Sequence, residues 1–280
     1  MKSEKEIRLK TTPYKVGVYT FLFLILAYLP VALGNSITTN KSITPSHTTE
    51  LNPLAKIIPA YSATYTVYHK SSPAGTAVRE LQYIDNKRVN YRYETHVKWF
   101  IFSQTRKESS VINTQNPEII TPLSYDNTRT GTGKDKKYKW RFDSKTNQGF
   151  DLGRDRVIPL DFKLPLQDKL SYHLQHRINL INDASQASYN YSVMSTSGSV
   201  RNHLYVFDGT EALTLPYGVV NAIRLKREVK EKERITYAWF APELNYLMVK
   251  LYQIKEGSEQ FEAQLKHLET SDTGHIKPTH

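Results

Sequence analysis

The stretch Tyr61-Ser62-Ala63-Thr64-Tyr65-Thr66-Val67 decides the fold. Tyr61, Ala63, Tyr65 and Val67 alternate with Ser62, Thr64 and Thr66, so an extended chain turns an apolar face to a core and hydroxyls to water. Ser71-Ser72-Pro73-Ala74-Gly75 then supplies turn chemistry, and a second strand runs from Ala77 to Ile84 before another turn at Asp85-Asn86-Lys87. Val89, Tyr91, Tyr93, Thr95 and Val97 occupy one side of a third strand, with Asn90, Arg92, Glu94 and His96 on the other. The same period returns at Tyr138-x-Trp140-x-Phe142, at Ala187-x-Tyr189-x-Tyr191-x-Val193, at Ile235-x-Tyr237-x-Trp239 and at Phe261-x-Ala263-x-Leu265. The connections are too short for parallel crossovers, so the sheet is antiparallel.

One segment has a different period. After Pro165, Asp168 is placed to cap a helix in which Leu170, Leu174 and Ile178 recur every fourth residue, while Lys169, Gln175 and Arg177 are polar. About a dozen strands in one sheet must curl or close to manage their edges. The expected fold is therefore mainly β: a strongly curved antiparallel sheet, or a partly open β-barrel, with one central amphipathic helix covering an opening or a sheet face.

Outward from this domain, the first residues read as an export signal. Lys2, Lys5, Arg8, Lys10 and Lys15 precede an uncharged run from Val16 to Leu33, and Ala32-Leu33-Gly34 suits cleavage between Gly34 and Asn35. The alternative is an uncleaved inner-membrane anchor, because residues 16–33 are just long enough to span. The protein is thus expected in the periplasm. Residues 35–59, rich in Ser, Thr and Asn with Pro45, Pro53 and Pro59, read as a polar linker; residues 60–270 as one β-rich domain; residues 271–280 as a loose tail.

The 280 residues carry a net charge of +11, of which residues 1–34 hold +3, so the remainder is still basic at +8. An exported basic chain meets anionic lipid headgroups and acidic glycans rather than nucleic acid. No cysteine is present, which removes disulfides, thiol catalysis, cysteine zinc sites and a lipidated N-terminal cysteine.

Catalytic signatures do not emerge. There is no Gly-x-Ser-x-Gly elbow. His173 and His176 lie three apart on the expected helix, but no third metal ligand accompanies them and an exposed pair on a polar face is the commoner arrangement. Asp151, Asp155 and Asp161 are interleaved with Arg154 and Arg156 and lack calcium-loop spacing. No catalytic residue, metal or cofactor is assigned. The basic run Arg224, Lys226, Arg227, Lys230, Lys232 and Arg234 contains Glu228, Glu231 and Glu233 and suits cross-strand pairing. Lys134, Lys136, Lys137, Lys139 and Arg141 have only Asp135 for balance; they protect a sheet edge or form a basic face able to touch an anionic surface. Tyr65, Tyr91, Tyr93 and Tyr191 either pack a core or line a cavity for a lipid or sugar.

The succession Gln167-Asp168-Lys169-Leu170-Ser171, Gly209-Thr210-Glu211, Pro216-Tyr217-Gly218 and Trp239-Phe240-Ala241-Pro242-Glu243-Leu244 resembles exported bacterial proteins of the domain-of-unknown-function family 3108. The resemblance runs from about Tyr61 to Leu268. It departs at Met248, where such sequences often have Pro. It implies a Gram-negative envelope setting and a β-rich fold, and brings no substrate, cofactor or catalytic residue. The matching residues have structural uses: Asp168 as helix cap ahead of Leu170 and Ser171, Gly209 and Gly218 beside turns, Pro216 within one, Pro242 ending the strand that carries a buried Trp239. Glu211 is the exception. If buried it needs a partner such as a nearby Arg, and it joins the four tyrosines as a candidate ligand residue.

The leading expectation is a non-catalytic binding or carrier protein for an amphiphilic envelope component such as a lipid or glycolipid. The alternatives are a structural or assembly partner of other envelope proteins, and a glycan or ester hydrolase.

Overall fold

The computed structural model describes residues 51–163 and 165–271. The expected signal or anchor, most of the linker and the tail beyond Ser271 lie outside the described residues.

Five long strands open the domain, each joined to the next by a short turn: β1 (Ala60–His69), β2 (Ser72–Tyr83), β3 (Arg88–Trp99), β4 (Phe102–Asn113) and β5 (Thr121–Gly131). β6 (Lys136–Asp143), β7 (Gln148–Asp151) and β8 (Arg156–Pro159) shorten toward one edge, and β9 (Leu166–Gln167) forms the other. The helix α1 (Ser171–Asn182) follows, then β10 (Ser188–Met194), β11 (Val200–Leu215), β12 (Gly218–Val229), β13 (Arg234–Ala241), β14 (Leu247–Lys255) and β15 (Ser258–Ser271). All belong to one sheet of 15 strands, in which β1 pairs with β15 and so joins the two halves of the chain. Every pairing is antiparallel except that of β9 with β10.

The sheet curls until its ends meet, without a closing ladder. Side chains bridge the seam instead. Gln167 Nε2 donates to the Ile120 carbonyl at 2.9 Å, the Ile120 N–H donates to Gln175 Oε1 at 2.9 Å, and Gln175 Nε2 donates to the Glu118 carbonyl at 2.7 Å. Trp140 Nε1 to the Thr196 carbonyl and Arg156 Nη2 to the Ser197 carbonyl extend the seam along β6 and β8. These bonds satisfy backbone groups that an unpaired edge would leave exposed. The result is the curved, barrel-like sheet with one helix that the strand pattern calls for.

The helix sits inside the curve, and this changes the reading of its polar residues. Gln175, His176 and Arg177 are all buried, so this polar side of the helix lies inside the protein, with His176 Nε2 and Arg177 Nη1 left without hydrogen-bond partners. Arg177 Nε and Nη2 donate to the Asn245 and Leu244 carbonyls, tying α1 to the turn after β13. The expectation of an exposed His173–His176 pair is likewise corrected: His176 packs against Tyr189, Tyr191, Tyr205 and Phe240, because the helix lies within the barrel rather than over it.

Asp168 stands two residues ahead of the cap position, which is Leu170. Its Oδ1 nevertheless accepts the N–H groups of Leu170 and Ser171, both at 2.7 Å, and Ser171 Oγ accepts the Asp168 N–H at 2.9 Å. The first-turn donors are thereby satisfied as in a capping box. Asp168 Oδ2 accepts from Ser110 Oγ at 2.5 Å, so the same carboxylate pins the helix start to β4.

One boundary also shifts. The expected linker ends earlier than residue 59: Leu54 and Ile58 are fully buried, and Asn52 donates to Thr114 Oγ1 at 2.7 Å and to the Asp85 carbonyl at 3.1 Å. This short segment plugs the end of the barrel from which α1 departs. β11 and β12 form one long hairpin bent at a bulge between Phe207 and Thr210. Gly209 takes φ +113° there, a conformation other residues adopt only with strain. The hairpin tip folds back over the outer face of β13–β15, where the Tyr217 N–H reaches the Leu265 carbonyl at 3.1 Å.

Candidate functional site

Strand alternation sends two sets of residues into the barrel. Near α1 the inward side chains are buried and mostly apolar or tyrosine. Toward the other end, where the β1–β2, β3–β4, β5–β6, β12–β13 and β14–β15 turns lie, burial falls off: Thr95, Val97, Gln104, Arg106, Arg129, Arg227, Arg234, Gln253 and Phe261 are only half-buried. Solvent therefore reaches a lumen above the helix N-terminus.

Arg79 stands at the floor of that lumen. Register places it beside Ala63 on β1 and Tyr93 on β3, on the inward face between Ala77 and Leu81. It is 5% exposed, yet among the described residues no carboxylate pairs with it and no acceptor receives its hydrogens; Nε is buried without a partner. Its guanidinium lies instead over the rings of Tyr93 at 5.3 Å and Tyr91 at 5.9 Å. Ring faces offset part of the cost of burying this charge, on the order of 1–2 kcal/mol, which is well short of what an isolated buried cation requires.

Further cations share the space. Lys169, at the start of α1, is held below the usual lysine range chiefly by burial, with Glu108, Arg106 and Arg234 close enough to influence it. Arg227 acts on His203, Tyr172 and Tyr205, placing it across the lumen from Arg79, which acts on the same two tyrosines. Among the described residues Lys169, Arg227 and Arg234 make no ion pair, and Arg234 Nε and His203 Nδ1 are buried without partners. The expectation that the Arg224–Arg234 run would serve cross-strand pairing thus holds for Arg224, which pairs with Asp208 and Glu211 on β11; Lys226 pairs with Glu228 on its own strand, and Arg227 and Arg234 point inward. Glu108 faces this group of cations; it accepts a 2.5 Å hydrogen bond from Tyr125 Oη and lies 3.8 Å from Arg106. The lumen is cationic, walled by tyrosine, and short of internal counter-charge.

The tyrosines named from sequence divide between floor and wall. Tyr65 donates to the Met248 carbonyl at 2.8 Å and Tyr91 accepts from Tyr61 Oη at 3.2 Å, so both pack the floor; burial pushes both hydroxyls up from their ordinary range. Tyr93 is half-buried, with the Arg79 guanidinium over its ring. Tyr191 belongs to the aromatic group around His176 and accepts from Asn179 Nδ2 at 3.3 Å.

Glu211 lies elsewhere. It lies on the face of the folded-back hairpin that packs against β13, and its side chain is 39% exposed rather than buried. Its carboxylate accepts from the Trp239 indole at 2.6 Å and from Arg224 Nη1 at 3.0 Å. Leu213, Leu215, Val220 and Ala222 cover Trp239 from the same hairpin face, and Glu243 Oε1 accepts the Asn221 N–H at 2.9 Å. The residues that carry the family resemblance, Gly209, Glu211, Pro216, Gly218, Trp239 and Pro242, thus assemble one structural lock between hairpin and sheet. Gly218 closes its tip at φ +136°. Because this lock is on the outer face, Glu211→Gln should cost at most about 1 kcal/mol of stability and leave binding in the lumen unchanged, as chemical denaturation and ligand titration of the variant would show.

Two surface hollows are less suited to a ligand. One of about 340 Å³ beside Tyr61 and Tyr217 is lined by Arg177, whose Nε and Nη2 are already bonded to backbone carbonyls. One of about 530 Å³ on the outer face of β2–β5 is lined by charges that pair with one another, Glu94 with Lys107 and Arg92 with Glu80.

Among solved structures, a beta-barrel-like protein of the DUF1849 family from Brucella abortus is similar, with TM-score 0.50 and 10% identity over 76% of this chain and 98% of that one. A DUF1089 family protein from Pseudomonas aeruginosa aligns at TM-score 0.36 and 8% identity over 64% and 89%. A protein described as exported, with a YmcC-like fold, from Bacteroides fragilis aligns at TM-score 0.29 and 9% identity over 76% and 97%. The first of these supports the barrel-like fold alone. No curated protein sequence matches the chain. Residues 64–264 match the family described as protein of unknown function, DUF3108, and the chain belongs to that family.

Proposed function

We propose that this protein is a non-catalytic binding or carrier protein of the bacterial envelope, and that its lumen takes the anionic head of an amphiphile. The observation that carries the reading is Arg79: a buried cation with no internal partner, at the floor of a solvent-reached lumen with Lys169, Arg227 and Arg234. Buried charges are normally paired, and an apo site that holds one unpaired is arranged for a counter-charge brought by a ligand. Tyr93 and the half-buried Val97 and Phe261 offer apolar wall for the remainder of such a molecule. The envelope setting rests on residues 2–34.

A hydrolase reading has one pair of carboxylates to draw on, Asp168 and Glu108, which influence each other and flank Ser110. Asp168 is 0% exposed and both its oxygens are occupied by structural bonds, so it presents no surface to a substrate. Binding is the better reading.

Native mass spectrometry of the gently purified full chain tests it. A copurified anionic amphiphile at one per chain is expected. A bare protein mass that stays bare after incubation with envelope lipids would remove the carrier role and favour an assembly partner.

A further inference from the structure

At the open end of the barrel the β3–β4 connection is a two-residue turn, Phe100-Ile101, closed by the pair Trp99 and Phe102. Phe100 is 96% exposed and Ile101 97% exposed. Phe100 also takes φ +49°, a left-handed conformation that sterics reserve for Gly and Asn in tight hairpin turns. A turn selected for stability would carry Gly at this first central position; this one accepts both backbone strain and two bare apolar side chains. The base beneath is stiff. Trp99 stacks on His69 at 4.8 Å and meets Phe102 at 4.2 Å.

The neighbouring β5–β6 turn packs directly against this tip: the Thr132 N–H donates to the Ser103 carbonyl at 2.7 Å and the Ser103 N–H to Thr132 Oγ1 at 2.9 Å. That turn carries Lys134, Lys136 and Lys137 with Asp135 as its single acid, and exposed Lys98 lies on the other side. Since β7 pairs only from Trp140 onward, this half of β6 has one free edge, so the lysines also serve the edge-protecting role considered from sequence.

We propose that this end of the barrel docks on an anionic lipid bilayer, with Phe100 and Ile101 entering the interface and Lys98, Lys134, Lys136 and Lys137 meeting the headgroups. Exposed bulky apolar residues ringed by lysine match the chemistry of an anionic bilayer surface, apolar below and negative above. The inference stands on the rim, independently of what the lumen holds.

The absence of cysteine permits a local readout in the full chain. An environment-sensitive dye is attached at Ile101→Cys and, in a second protein, at Val219→Cys, an exposed position at the opposite end of the barrel. The hydrophobic stretch at residues 16–33 is common to both. With phosphatidylglycerol-containing vesicles, the dye at 101 should shift blue and brighten while the dye at 219 does not; pure phosphatidylcholine vesicles should leave both unchanged. Adding Phe100→Gly, which relieves the turn strain and so preserves the fold, should weaken the vesicle response roughly tenfold or more. Equal shifts at 101 and 219, no shift at either, or a shift that needs only protein concentration and no vesicles would overturn the proposal; the last would identify a second copy of the chain as the occupant.

Discussion

Arg79→Met is expected to raise the thermal unfolding midpoint and to weaken binding of an anionic amphiphile. In the empty protein the guanidinium is buried with neither carboxylate nor acceptor, so a methionine of similar reach removes a desolvation cost while keeping contact with Tyr91 and Tyr93. Replacing buried charge by well-packed apolar side chains stabilises by about 1–4 kcal/mol in comparable settings. The same change deletes a charge-assisted bond to the ligand head, expected to weaken binding roughly tenfold to a hundredfold. A residue kept for stability would behave in the opposite way. Differential scanning calorimetry with and without ligand reads both effects; a lower midpoint together with unchanged affinity would remove Arg79 from the site.

The second large effect is acid lability. His176 sits among Tyr189, Tyr191, Tyr205 and Phe240, and burial pulls its pKa from 6.5 to about 3. His203 is lowered to about 3, first by burial and then by Arg227. His173 is held well below its ordinary value by burial and by Arg79, His176, His203 and Lys169. Each is neutral in the folded chain but protonated below pH 6.5 once unfolded, so its contribution is present above pH 6.5 and is lost as the pH falls. At pH 5 His176 and His203 each cost about 2 kcal/mol, and His173 acts in the same direction. Asp168 works against them. Burial raises it to about 6, so below that pH the folded state binds the proton first and regains about 1 kcal/mol by pH 5. His176, His203 and Asp168 together leave a net loss of about 2–3 kcal/mol between pH 7 and 5, to which His173 adds, a sizeable part of the stability of an ordinary domain. Urea denaturation across this range should show it, and His176→Phe should recover about 2 kcal/mol at pH 5 relative to pH 7. Equal slopes for parent and variant would mean that His176 is reached by protons in the folded state.

These effects lie where the sequence was hardest to read. The alternation from Tyr61 to Val67 announces β1, and the meander, the antiparallel sheet and the single helix follow from residues within one strand of each other. The inside of the barrel does not, because it depends on which distant strands face one another. Arg79 had a local signal all the same: in Ala77-x-Arg79-x-Leu81-x-Tyr83 a charge occupies an apolar-face position, the kind of local inconsistency that marks a site. Arg227 and Arg234 had none, since acids beside them in sequence point to the other face. Glu211 sits beside apolar Ala212 and Leu213 in sequence, but the bulge at Gly209 turns the hairpin back and leaves its carboxylate half-exposed between Trp239 and Arg224. Residues 52–59 looked like linker because a plug needs only two apolar residues, Leu54 and Ile58, and shows no period.

The most direct test of the account is calorimetric titration of decyl phosphate, below its micelle concentration, into the full chain and into Arg79→Met, with decyl maltoside as the uncharged comparison. The account predicts one decyl phosphate site per chain, at least about tenfold weaker in the variant, and no comparable site for the maltoside. Equal binding of both detergents, or affinity for decyl phosphate that survives loss of Arg79, would contradict it.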